Sequence, residues 1–355
     1  MQLGKELTIS EIINEAGFAS FDLSAQMKLH YDAMTKIEAL LKRIIQSKDY
    51  AHKSAQLKET INHCMWDEKK GFYFNVIRDC KSKFEQFTLS SYWSLYAQIA
   101  DKEKAQRMLA YLKDPEYFKT TMPFPALAVK DPQYHEHGDY WRGGVWPPLV
   151  YITIKGLMNY AIDIPEAWLL AVNSTKDYLD LLAKTMLDPD DSDSTSDSHC
   201  QVVNQPETLD TGSNTLCTDP ETTHYANRIF EYNSPSTGGP GMRKDTEGPS
   251  KIAKGNFVGW GGLGPIALMQ EVGIGIEVHE NEVVWYLHQN GSHGIENLHI
   301  GKGVLNVLST GNNTDQITSD TFDIRSNNLS AQGITQVRII PIGNPDNPLI
   351  IEVND

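Results

Sequence analysis

Residues 135–151 read HEHGDYWRGGVWPPLVY, from His135 to Tyr151. Ahead of Pro147-Pro148 stand Asp139, Tyr140, Trp141, Arg142, the pair Gly143-Gly144 and Trp146. A proline opens a helix readily, because its φ is preset and its missing N–H is not needed in the first turn. A helix entry needs only a cap and a hydrophobic staple. So many aromatic and charged side chains in front of one point to the wall of a polar pocket, hung on the helix that Pro147 begins.

The chain around this stretch reads as helical hairpins. Upstream, Leu23, Met27, Tyr31, Met34, Ile37, Leu41 and Ile44 recur at steps of three and four. That spacing predicts one long amphipathic helix with this face buried, capped by Asp22 or Ser24. A second helix is predicted over about 50–65, with Leu57, Ile61, Cys64 and Met65 inward, followed by a short hairpin strand at 72–76. Helices near 89–100 and 102–112 are joined so tightly that they must be antiparallel neighbours. The irregular run 114–146 is too long and too aromatic for a plain or disordered connector. Downstream, helices are predicted over 147–160, 165–187 and 265–272, giving seven in all. Between the last two, DPDDSDSTSDS at 188–198 reads as a solvated acidic loop. After Gly273, β-branched segments separated by Asn, Gly and Asp turns predict a small antiparallel β module with a structural role. The expected division is 1–273 and 274–355.

Composition removes several classes of function. With 31 basic against 46 acidic residues and a formal charge of −15, nucleic acid is excluded as a main partner, since phosphate binding needs clustered positive charge. No apolar run approaches the roughly 18 residues that span a bilayer, and the N-terminus lacks the apolar core of a signal peptide. The expectation is a soluble protein, cytoplasmic by default. Cys64, Cys80, Cys200 and Cys217 have no metal-ligand spacing and do not form a disulfide scaffold. Cys200 and Cys217 flank a loop that an oxidising compartment would allow to close, and two unpaired thiols are the preferred assignment. The Asn-x-Ser/Thr patterns at Asn173, Asn290, Asn312 and Asn328 are taken as coincidence in an Asn- and Ser-rich chain.

Three stretches carry candidate chemistry. Trp141 and Trp146 offer flat apolar faces that suit the C–H face of a sugar ring, while Asp139 and Arg142 offer charged hydrogen bonds that suit its hydroxyls. Alternatively both tryptophans are core anchors, and Arg142 and Asp139 pair with each other or with helix ends. Glu231 precedes the turn-prone Tyr-Asn-Ser-Pro and a glycine loop, which would set its carboxylate at a pocket rim; an isolated glutamate is otherwise a solvated surface residue. Trp260, within NFVGWGGLGP at 256–265, suits a pocket floor, although glycines there also allow close packing at a helix entry. His135-Glu136-His137 lacks a third ligand and reads as a polar loop, so no metal or other cofactor is expected.

YWRGGVWPP, EYNS and NFVGWGGLGP, in that order between helical hairpins and a β module, resemble the catalytic region of six-hairpin glycosidases. The likeness is to glycoside hydrolase family 63 and the mannosylglycerate hydrolase-like group, with trehalases more distant. SFDLSAQ at 20–26 and MWDEKKGFYFNV at 65–76 fit the same series. The resemblance implies an (α/α)6 toroid and inverting hydrolysis of an α-glucoside or α-mannoside. It implies that Glu231 is the general base, that Trp141 and Arg142 shape the subsite of the reacting sugar, and that Trp146 and Trp260 complete its walls. Asp139 follows less directly.

Two departures set limits on that expectation. The family toroid has twelve helices, against seven predicted here. Its general acid is an aspartate in a Gly-Leu-Asp-Asn-Ser-Pro-like motif upstream of SFDL, and no such motif occurs in this chain. The toroid is therefore expected to be incomplete: the chain reads as the C-terminal part of a longer enzyme, as a split or truncated product or as a diverged relative, inactive alone unless a separate chain carries the missing N-terminal half. A non-catalytic carbohydrate-binding remnant and a helical scaffold are the alternatives.

Overall fold

In the computed structural model, residues 18–77, 80, 82–186, 200–202, 215–217, 229–243, 251–288, 291–310, 321–341 and 347–353 are described. The chain divides into two compact units, Met1–Gly264 and Pro265–Asp355.

The first unit is built on helical hairpins. Strand β1 (Phe18–Ala19) leads into α1 (Phe21–Leu40), and α2 (Ile44–Cys64) returns against it. The long helix expected through Ile44 is thus two helices. The chain turns at Lys42, whose φ of 59° is left-handed, and Lys42 and Arg43 donate their N–H groups back to Ala39 O and Glu38 O. A backbone ended in this way cannot continue as a helix. The expected buried face is also corrected. Leu23, Met27, Ile37, Leu41 and Ile44 are exposed, together with Leu40 and with Ile45 at 83 %. The hairpin instead buries Phe21, Ala25 and Ile61. Periodicity tells which residues share a face; it does not say what covers that face.

Short strands follow: β2 (Trp66–Asp67) pairs with β3 (Phe72–Tyr73), and β4 (Asn75–Ile77) pairs with β1 and β5 (Ser82–Phe84). Cys64 at the end of α2 is disulfide-bonded to Cys80 in the β4–β5 turn, with Cα atoms 4.8 Å apart. One bridge is not a disulfide scaffold, but no pairing of Cys64 was expected; it forms because the hairpin turn folds back onto the helix end from which the chain left. A 3₁₀ turn (Leu89–Tyr92) and α3 (Trp93–Tyr96) precede α4 (Lys102–Leu112), which Asp101 caps by accepting from Lys104 N–H. Phe72, Tyr92 and Phe118 fill the core between these elements. Helix α5 (Pro147–Met158) starts at the expected proline and packs on α3 and on α6 (Pro165–Met186). The acidic loop at 188–198 lies outside the described residues. Beyond it β6 (Cys200–Val202) and β7 (Thr215–Cys217) pair antiparallel with Cys200 opposite Cys217. Then come β8 (Met242–Arg243), β9 (Lys251–Ile252) and α7 (Val258–Leu268). Among the described residues seven α-helices are present: mainly helical hairpins of (α/α)6 type that do not close a barrel.

The second unit begins with the end of α7 and a wider helical turn (Met269–Ile274) and continues as the small β module. A four-stranded sheet orders β10 (Ile276–Val278), β11 (Glu282–Leu287), β15 (Gln336–Pro341) and β16 (Leu349–Glu352); a three-stranded one orders β12 (His293–Ile300), β13 (Gly303–Ser309) and β14 (Phe322–Asn327). Among the described residues all pairs are antiparallel except β11 with β15. A parallel pair needs a long crossover, and the excursion through β12–β14 provides it. Trp285, Leu305, Val307 and Val337 centre its core.

Candidate active site

The three stretches singled out in the sequence meet in the first unit, and the backbone brings them together. Val145 and Asn233 exchange N–H···O bonds of 2.9 Å each, which zips the YWRGGVW loop to the EYN segment. Glu231 N–H donates to Lys254 O at 2.9 Å and Phe257 N–H to Ile229 O at 3.0 Å, tying the EYN segment to NFVGWGG. Trp260 Nε1–H then donates to Glu231 O at 2.9 Å. These bonds hold Glu231, half-buried, between the aromatic loop and the start of α7.

The aromatic rings form a stack. Trp141 lies on Trp146 with centroids 4.1 Å apart and planes 16° from parallel, and Trp146 lies on Tyr232 at 4.7 Å and 19°. Tyr140 stands edge-on to Trp146 at 5.0 Å and to Tyr232 at 5.6 Å. Such offset stacks and T-shaped contacts are favoured by the ring quadrupoles. Close approach of the backbone makes the stack possible: a Cβ on Gly144 would sit 2.5 Å from Tyr140 O and 2.7 Å from the Tyr232 ring. Trp146 is only 3 % exposed, so it backs the wall as a core residue, whereas Trp141 is 52 % exposed and presents a free face. Trp260 is 40 % exposed and packs on Phe257 at 4.6 Å.

Of the charged residues, Asp139 is 4 % exposed and ion-paired with Arg142, whose own side chain is half in solvent. Pairing with the guanidinium compensates a carboxylate that burial would otherwise penalise heavily. This carboxylate therefore orients Arg142. The Tyr232 hydroxyl is buried, without a hydrogen bond of normal geometry among the described residues. Its pKa is pushed well above that of a free tyrosine, first by burial and then by the charges of Asp139 and Glu231, which Arg243 opposes. Sequence reasoning missed Tyr140, Tyr232 and Arg243. The motif containing Tyr232 was a usable signal; nothing marked Arg243.

His135 and His137 face each other at 5.8 Å between ring centroids, and His137 approaches Glu136 and Ser236. Among the described residues no group of three or more His, Cys, Asp or Glu side chains converges as a metal site would require. No helix among them is long and apolar enough to cross a membrane. A depression of about 370 Å³ lies next to the loop, lined by Lys119, Thr121, Tyr134 and Pro235 among others. It contains none of Glu231, Trp141 and Trp260.

The model of the mannosylglycerate hydrolase MGH1-like glycoside hydrolase domain matches residues 11–199. The chain belongs to this family. The match includes Trp141, Arg142 and Trp146 and stops short of Glu231 and Trp260. An uncharacterized protein of Borreliella burgdorferi is 32 % identical over 124 residues, covering 35 % of this chain and 26 % of that protein. A mannosylglycerate hydrolase of Rubrobacter radiotolerans is 26 % identical over 111 residues, covering 30 % of this chain and 24 % of that protein. The chain thus spans about a quarter of the curated relatives it matches. Among solved structures, a sialidase superposes with a TM-score of 0.60 at 12 % identity, over 95 % of this chain and 27 % of that one. At that identity the likeness concerns the fold alone.

Proposed function

We propose that the chain carries the sugar-holding side and the general base of an inverting glycoside hydrolase of family 63 type, acting on an α-linked glucoside or mannoside. The observation that carries this is the convergence of the three stretches on Glu231. The Val145–Asn233 exchange and the Trp260 Nε1–H bond to the Glu231 carbonyl tie the backbone of Glu231 to the loop that carries the exposed Trp141 and to Trp260. In this scheme the sugar lies on Trp141, Arg142 holds its hydroxyls under the orientation set by Asp139, and Trp260 walls the Glu231 side with Trp146 behind. Glu231 draws a proton from a water that attacks the anomeric carbon, while an acid on the opposite face protonates the leaving oxygen. Inverting enzymes keep these two carboxyl groups about 6.5–9.5 Å apart to admit that water.

The acid comes from outside the motifs of this chain. We place it in the helical hairpins that complete the toroid, on the same polypeptide or on a separate one, and assign to them the cover over the exposed face of α1 and α2. The compact units part at 264/265; we propose 273/274 as the boundary between helical and β parts, because the helical turn Met269–Ile274 is capped by left-handed Gly275 just before β10. Glu231→Gln, assayed in the assembly that carries the acid, should lower turnover by at least about 10²–10⁴-fold. Unchanged turnover would remove Glu231 from the mechanism. A carbohydrate-binding chain without catalysis is favoured by one observation, the commitment of buried Asp139 to Arg142. It predicts sugar binding with no hydrolysis even after the toroid is completed.

A further inference from the structure

The hairpin β8–β9 is fastened to the site along its backbone. Gly241 N–H donates to Tyr232 O at 3.1 Å, Met242 N–H to His137 O at 2.8 Å and Ala253 N–H to Gly241 O at 2.6 Å. A Cβ on Gly241 would meet the Tyr232 ring at 2.2 Å, so the strand lies flat against that ring. Arg243, two residues on, is therefore delivered to a fixed place. Its guanidinium carbon sits 5.1 Å from the centroid of the Tyr140 ring, within the cation–π range of about 6 Å. Tyr140 contacts Trp141 at 5.6 Å and stands edge-on to Trp146 and Tyr232.

Charge supports the same placement. Asp139 and Glu231 both act on the buried Tyr232 hydroxyl, and the cation opposing them there is Arg243, while Arg142 is paired with Asp139. The guanidinium over Tyr140 thus arrives from a hairpin that the motifs did not include. A guanidinium suits this place better than an ammonium, because it is planar, stacks on a ring and keeps directional donors at its edge.

We propose that Arg243 is a substrate-positioning residue, whose guanidinium clamps Tyr140 against the Trp146–Tyr232 stack and offers N–H donors to the hydroxyl oxygens of a sugar lying on Trp141. The sugar contact rests on the function proposed above; the clamp does not. The test uses the full chain as wild type, Arg243→Ala, Arg243→Lys and, as a control on a distant surface pair, Lys176→Ala. Each is titrated with methyl α-glucoside and methyl α-mannoside by calorimetry, and near-UV circular dichroism without sugar reports the Trp141–Trp146 stack. Affinity should fall about tenfold or more in Arg243→Ala, the scale of one charged hydrogen bond. Arg243→Lys should recover only part of it, Lys176→Ala should match wild type, and the near-UV band should shrink in Arg243→Ala. Wild-type affinity in Arg243→Ala, or full recovery in Arg243→Lys, overturns the sugar contact. An unchanged band in Arg243→Ala overturns the clamp. If wild type binds neither sugar, the sugar-site function and the contact fall together, and the band alone decides the clamp.

Discussion

Among the regions of the first unit that expose large apolar side chains, two do so for different reasons. At the site, Trp141 shows one ring face to solvent while its other face is stacked, with an ion-paired arginine next to it. On the α1–α2 hairpin, aliphatic side chains from Leu23 to Ile45 lie in the open along two helices. An aromatic ring held by neighbours and ringed by hydrogen-bonding groups fits a ligand with both C–H and O–H faces. A bare aliphatic helix face fits another helix. Exposure alone therefore assigns nothing, and the chemistry beside each exposed group separates a binding platform from a packing surface.

The largest effect that would break this comparison lies inside the stack. Trp146→Ala removes a ring held between Trp141 and Tyr232, and should cost about 3–5 kcal/mol in urea unfolding. A cost below about 1 kcal/mol would mean that the rings do not form one packed unit. Next comes the hairpin's tether. The Cys64–Cys80 bond closes a separation of 16 residues, which predicts a loss of about 3 kcal/mol in Cys80→Ser. Equal stability with and without reductant would show that the bond does not form.

Alkaline pH sharpens the contrast at the stack. The Tyr232 pKa is raised from its ordinary value of 10.0, so its contribution is fully present below about pH 10 and is lost as pH rises toward the folded-state value. Denaturant midpoints should drop between pH 8 and pH 11, with a shallower drop in Tyr232→Phe. Parallel curves would show that the hydroxyl is hydrated in the native state. The smallest effect is expected on the open face, where Ile45→Lys should change stability by less than about 0.5 kcal/mol in the chain alone. A large loss there would show that the face is already covered.

The sequence made the site more legible than its surroundings. YWRGGVW, EYN and NFVGWGG were each visible as clusters of aromatic, acidic and glycine residues, and their order matched a family series. Which of the two tryptophans faces a ligand was not visible, because Trp141 and Trp146 have the same chemistry and only the backbone course at Gly143-Gly144 buries one of them. Arg243 was hidden for a related reason. A lone arginine in a polar stretch carries no pattern, and the hairpin that delivers it is set by backbone bonds to Tyr232 and His137. The hairpin α1–α2 shows the converse. Its apolar residues recur at helical spacing and its helices are real, yet the predicted burial failed because spacing does not name the partner. The β module followed from β-branched runs and turn residues, whereas its one parallel pair depended on connectivity that no local signal encodes.

The most direct measurement is saturation-transfer NMR of methyl α-glucoside and methyl α-mannoside on the full chain, comparing wild type with Trp141→Ala and Ile45→Lys. Transfer to the sugar C–H protons in wild type and in Ile45→Lys, with its loss in Trp141→Ala, is the predicted result. Equal transfer in Trp141→Ala, or its loss in Ile45→Lys, would contradict the assignment of the Trp141 stack as the sugar platform.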